Sequence, residues 1–116
     1  MIAHVTVHTP KLAETVEFFQ WLLALPISRE INTPGGKIIF LDEGDTKFEI
    51  IEDAGAEKIT AKGLTIGFVV PDLDAKLAML DCKHIPHSEV ISPNPGTRFA
   101  YFTDLNGCGI QLFEGR

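Results

Sequence analysis

The chain repeats itself. A helical pattern opens at Thr9-Pro10-Lys11-Leu12, and a second opens 61 residues later at Val70-Pro71-Asp72-Leu73. The first carries apolar residues at Leu12, Val16, Phe19 and Leu23, and the second at Leu73, Leu77 and Leu80, each spaced as one face of a helix. Thr9 is the expected N-cap of the first helix, with Pro10 in its first turn. A β-rich run precedes each helix, at residues 2–9 and 64–70. Further runs follow at 27–31, 37–41 and 47–52 in the first half, and at 87–91, 98–103 and 109–114 in the second. Gly35-Gly36, Glu43-Gly44, Asn94-Pro95-Gly96 and Asn106-Gly107 punctuate them as turns. The last strands, FEIIE and IQLFE, overlay at an offset of 62 residues.

Each half therefore reads strand, helix, strand, strand, strand. The expected fold class is α+β: two βαβββ modules, 1–52 and 64–116, joined by a polar connector at 53–63 within one domain. A chain of 116 residues suits one domain, able to bury about two thirds of its unfolded surface.

Strand alternation assigns faces. His4, Thr6 and His8 alternate with Val5 and Val7, so one face of the first strand is polar and the other apolar. Phe48 and Ile50, and likewise Ile110 and Leu112, belong under the helices, which sends Glu49 and Gln111 to the opposite side. In the fifth strand Leu64, Ile66 and Phe68 form the apolar face, opposite Thr65, Gly67 and Val69. His4, Glu49, Thr65 and Gln111 are thus expected on the helix-free side, paired by the duplication. An imidazole, a carboxylate and an amide oxygen meeting at one point suit a divalent cation with open positions for substrate. The same groups also read as cross-strand hydrogen bonds and solvated polar side chains.

Composition removes other classes. A net charge of −6, with ten scattered basic residues, provides no track for a polyanion and argues against nucleic acid. No apolar run reaches the roughly 20 residues of a membrane span, and the opening residues do not read as a secretion signal, so a cytoplasmic protein is expected. Cys82 and Cys108 have no CxxC spacing and read as reduced thiols. The C-x-H-x-x-H run of Cys82, His84 and His87 lacks an evident fourth ligand and reads as loop. Arg98, opening a strand, is a candidate clamp for an anionic group.

Paired βαβββ halves with His4 in the first strand, Glu49 in the fourth, FFQWLLAL in the first helix and Asp104-Leu105-Asn106-Gly107 before the last strand resemble the vicinal oxygen chelate superfamily. This is the group of glyoxalase I, bleomycin-resistance proteins, fosfomycin-resistance enzymes and extradiol dioxygenases. The resemblance implies a cupped mixed sheet with its helices outside and one divalent metal (Zn, Ni, Mn or Fe) held by His4, Glu49 and Gln111. Thr65 stands where the family usually places His or Gln. It further implies a metal-dependent lyase, isomerase or dioxygenase, with Glu49 as the catalytic carboxylate. The bleomycin-resistance members imply the other reading, favoured by the weak ligand set: a small-molecule-binding protein using His8, Thr65 and Arg98 as polar contacts. A vestigial site in a structural dimer is a third. Open strand edges make a homodimer the expected assembly, and the acidic balance favours a cationic or neutral ligand.

Overall fold

In the computed structural model, which describes residues 1–115, the alternation in the first strand becomes a strand with two unlike faces. Strand β1 (His4–Thr9) exposes His4, Thr6 and His8 and buries Val7 and Thr9. Helix α1 (Leu12–Leu23), then β2 (Ile27–Thr33), β3 (Gly36–Leu41) and β4 (Lys47–Glu52) complete the first module. The second repeats the order with β5 (Ile66–Val69), α2 (Leu73–Cys82), β6 (Ile91–Asn94), β7 (Thr97–Thr103) and β8 (Gly109–Gly115). The residues gather into two compact units, Met1–Lys58 and Ile59–Arg116, whose boundary falls inside the expected connector.

Each unit holds one four-stranded mixed sheet, ordered β1-β4-β3-β2 in the first and β5-β8-β7-β6 in the second. The outer pair is parallel and the rest antiparallel. The duplication extends to register. Val5 pairs with Phe48 and Thr6 with Glu49, as Ile66 pairs with Ile110 and Gly67 with Gln111. Both ladders therefore match at offsets of 61 and 62 residues, the offsets seen in the sequence.

The core of each unit lies between its helix and its sheet. Phe19 is fully buried, its ring edge-on to Phe48 at 4.9 Å, among Leu22, Leu41 and Ile50. In the second unit Leu73, Leu77 and Leu80 cover Ile110 and Leu112. Asp72 caps α2, its carboxylate accepting the Ala75 N–H at 3.1 Å.

Several local expectations are corrected. Thr9 is not the cap of α1: it ends β1, fully buried, and its hydroxyl accepts the Lys11 N–H at 2.9 Å, so the helix starts two residues later. Leu22 rather than Leu23 is buried, because the 12, 15, 19, 22 spacing tracks the sheet more closely. Leu64 is 68% exposed and precedes β5, outside the parallel ladder that buries Phe68. The run at 87–91 is not a strand. Its ladder pairing with β7 is one isolated bridge, His87 to Phe102, and β6 begins at Ile91. Cys82 is exposed and Cys108 buried, and both are free. Burial pushes the Cys108 thiol up to about 11, which keeps it protonated and unreactive. No helix is long and apolar enough to cross a membrane.

Candidate functional site

The helix-free face of the first sheet brings together His4 and Glu49. Because Thr6 is the register partner of Glu49, its hydroxyl donates to Glu49 Oε1 at 2.5 Å, and His4, one pleat earlier, places Nε2 3.5 Å from the same oxygen. The His4 ring stands edge-on to Phe40, which pairs with Glu49 from β3. Glu49 is buried to 9% exposure although it lies on the face away from α1. His8 shares this face but turns to the end of the strand, with Nδ1 3.3 Å from Asp53 Oδ2.

In the second unit the equivalent face is aromatic and amide-bearing. Tyr101 pairs with Gln111, whose Nε2 donates to the phenolic oxygen at 3.2 Å. Beside them Phe99 and Phe113 stack at 6.3 Å. A Cβ at position 67 would sit 2.9 Å from Gln111 Oε1, so glycine there makes room for the amide. Thr65 reaches the same face next to Gly109, whose absent Cβ would lie 3.1 Å from the threonine methyl.

Thr65, Tyr101, Thr103 and Gly109 line a cavity of about 510 Å³, closed on one side by Pro86, His87 and Ser88. That wall is pinned to the sheet at Ser88, whose N–H donates to the Tyr101 carbonyl at 2.8 Å and whose Oγ accepts the Tyr101 N–H at 2.9 Å. His87 ties it to α2, with Nδ1 2.6 Å from the Ser88 carbonyl and Nε2 2.8 Å from Asp81 Oδ1. Two acceptors on one imidazole favour its cation, and first the carbonyl and then Asp81 raise the His87 pKa above its usual 6.5, against desolvation. Because the folded value is the higher one, this contribution to stability is complete below 6.5 and is lost as pH rises through the folded pKa. Urea unfolding is accordingly expected to show His87→Ala more damaging at ~pH 5.5 than at ~pH 8.5. Equal losses at the two values would contradict the pairing.

The structure places Arg98 on the other side of β7, sharing its face with the buried Ala100 and Phe102. The guanidinium donates to Glu114 Oε1 at 3.0 Å and to Asp74 Oδ1 at 2.9 Å, while Glu114 Oε2 accepts the Leu73 N–H at 2.7 Å. These carboxylates raise its pKa, and the cluster joins β8 to the start of α2. Sequence reasoning missed Tyr101, His87 and Ser88. The parity of Tyr101 with Phe99 and Thr103, opposite Ala100 and Phe102, was the available signal for the first.

A divalent cation would find a thin donor set in either module. Beside Glu49 the first face offers one imidazole, His4, and an oxygen of that carboxylate already accepts from Thr6, while the second imidazole, His8, turns to Asp53. The second offers Gln111, whose amide nitrogen serves Tyr101, and a threonine hydroxyl. Among the described residues no three His, Cys, Asp or Glu side chains gather as a metal-holding group. Neither face alone has the three firm donors that a catalytic cation takes.

Comparison with known proteins agrees with the duplicated architecture. No curated protein sequence matches the chain. Its fold is similar to that of SMU.1112c, with a TM-score of 0.78, 26% identity and 98% of each chain covered. It is similar to FosX, a genomically encoded fosfomycin resistance protein from Listeria monocytogenes solved with Mn(II) and sulfate, with a TM-score of 0.79, 16% identity, and 100% of this chain and 90% of that one covered. It also resembles TnmS3, an antibiotic binding protein from Streptomyces sp. CB03234, with a TM-score of 0.74, 15% identity, and 100% and 96% coverage. The family model matching residues 1–112, together with two βαβββ modules of matched register, shows that the chain belongs to the Glyoxalase/Bleomycin resistance protein/Dioxygenase superfamily.

Proposed function

We propose that this protein is a binder of a small organic molecule that works without a resident metal. The supporting observation is the cavity on the helix-free face of the second unit, whose size falls in the range of small-molecule sites. Tyr101 gives it an apolar ring face. Gln111 donates to the phenolic oxygen and so leaves the phenolic O–H to donate to a ligand. Thr65 and Thr103 add directional hydroxyls. A net charge of −6 steers cationic molecules toward the protein, repels anions and leaves neutral ones unopposed. TnmS3, an antibiotic binding protein of similar fold, makes antibiotics a suitable first class of ligand, and the Tyr101 ring favours those with a planar part. Of the contacts anticipated from sequence, Thr65 serves this reading, whereas His8 and Arg98 are engaged elsewhere.

A panel of neutral and cationic planar heteroaromatics, followed by thermal shift and amide chemical shifts, tests the proposal, because a ligand selective for the native state raises its melting point. Hits are expected to move the amides of Ser88, Tyr101 and Gly109, and Tyr101→Ala is expected to weaken them about tenfold. A silent panel overturns the reading. So does one equivalent of divalent metal retained through dialysis and lost in His4→Ala. That result favours a metal-dependent lyase, isomerase or dioxygenase with His4, Glu49 and Gln111 as ligands, a reading supported by the 3.5 Å approach of His4 to Glu49.

A further inference from the structure

A second hollow, of about 440 Å³, lies on the helix side of the first unit, lined by the first half of α1 and by β3 and β4. Leu12, Val16 and Ile39 form its apolar floor, each at most 8% exposed. Residues 12, 13, 16 and 17 of α1 run along one flank of the helix, so Ala13 and Glu17 continue the wall upward to the rim. Ala13 is small where a longer side chain would fill the space. Opposite, Lys37 and Glu52 close the rim from the sheet.

The charges around this rim are unequal. The Lys37 ammonium is 3.1 Å from Glu30 Oε2, so it is already neutralised by a carboxylate on β2. Glu52 lies across Gly36, where a Cβ would stand 2.7 Å from Oε1, and among the described residues this oxygen accepts the uncharged Lys37 N–H at 2.9 Å and joins no ion pair. Glu17 is exposed and joins no ion pair among the described residues. Two carboxylates, Glu17 and Glu52, thus line the hollow with one ammonium that Glu30 already offsets, over a floor of hydrocarbon.

We infer that this hollow is a second small-molecule site, which takes an organic cation with a compact apolar body. The body would replace water over Leu12, Val16 and Ile39, and its ammonium would rest between Glu17 and Glu52. Charge complementarity selects the occupant, since an anion would face two uncompensated carboxylates. The site is separate from the helix-free faces and does not depend on what binds there.

Titration of the full-length protein with benzyltrimethylammonium, and with benzenesulfonate as its anionic counterpart, reads the proposal by amide chemical shifts. Saturable shifts are expected for the cation at residues 12–17 and 37–39, with none for the anion. Glu17→Lys is expected to weaken the cation about fivefold, the size of one exposed ion pair. Ala13→Trp, at an exposed position, is expected to abolish the shifts by filling the hollow while the rest of the spectrum stays native. Equal binding of the two probes, shifts confined to Ser88 and Tyr101, or full affinity in Ala13→Trp would each overturn it.

Discussion

Phe19→Ala is expected to destabilise the protein by about 3–5 kcal/mol, the usual cost of emptying a phenylalanine site in a closed core. The ring is fully buried on α1, edge-on to Phe48 of β4 at 4.9 Å and to Phe18 at 5.1 Å. Leu22, Leu41 and Ile50, all fully buried around the same core, cannot collapse into the gap without leaving their own contacts. Because Phe48 neighbours Glu49 in β4, a shift in that strand would also disturb the His4–Glu49 approach on the opposite face. Urea unfolding monitored by Trp21 fluorescence measures the loss. A cost below about 1 kcal/mol would mean that the helix-to-sheet core is not packed as described.

The second large effect is expected at Asp104. Its Oδ1 accepts the N–H groups of Asn106 at 2.9 Å and Cys108 at 2.8 Å, both buried, and so shapes the turn that enters β8. The Asn106 carbonyl in turn accepts the Ile59 N–H, which fastens the end of the connector. Asp104→Ala orphans two buried donors, at about 1–3 kcal/mol each. Relief from burying a carboxylate offsets part of that, since Oδ2 is buried with no partner among the described residues. The net loss is expected to be about 2 kcal/mol by urea unfolding.

Burial raises the Asp104 pKa above the usual 3.8, against the backbone N–H groups that lower it. The native state therefore binds this proton more tightly than the unfolded chain. Its stabilising contribution is complete below 3.8 and is lost as pH rises through the folded value. Asp104→Asn keeps an acceptor for the turn and does not titrate. It is expected to retain most of the stability and to lose that part of the pH dependence. An Asn variant as damaged as the Ala variant would show that the ionised carboxylate itself holds the turn.

Much of this was readable from residues alone. The alternation of His4, Thr6 and His8 with Val5 and Val7 is a local property of an extended chain, and the strand that forms keeps it. Leu73, Leu77 and Leu80 lie on one side of α2 for the equally local reason of helical period. The 61- and 62-residue offsets in the sequence reappear as the registers of two parallel ladders, because similar segments solve the same packing problem twice. Even the helix-free placement of Glu49 and Gln111 follows from the burial of their neighbours Phe48, Ile50, Ile110 and Leu112.

Tertiary structure alone decided which of those side chains meet. Pleat parity gives each residue a face but not its neighbours, which depend on strand order and register between segments distant in sequence. Strand order brings Glu49 beside Thr6, and Gln111 beside both Gly67 and Tyr101. Arg98, a candidate ligand contact when read in isolation, is held by Glu114 and by Asp74, 24 residues away, on the α2 side. The wall formed by Pro86, His87 and Ser88 has no strand pattern, yet Ser88 bonds to Tyr101 and His87 to Asp81. Periodicity belongs to the single chain segment, whereas a cavity is made where several segments converge, and only the folded molecule brings them together.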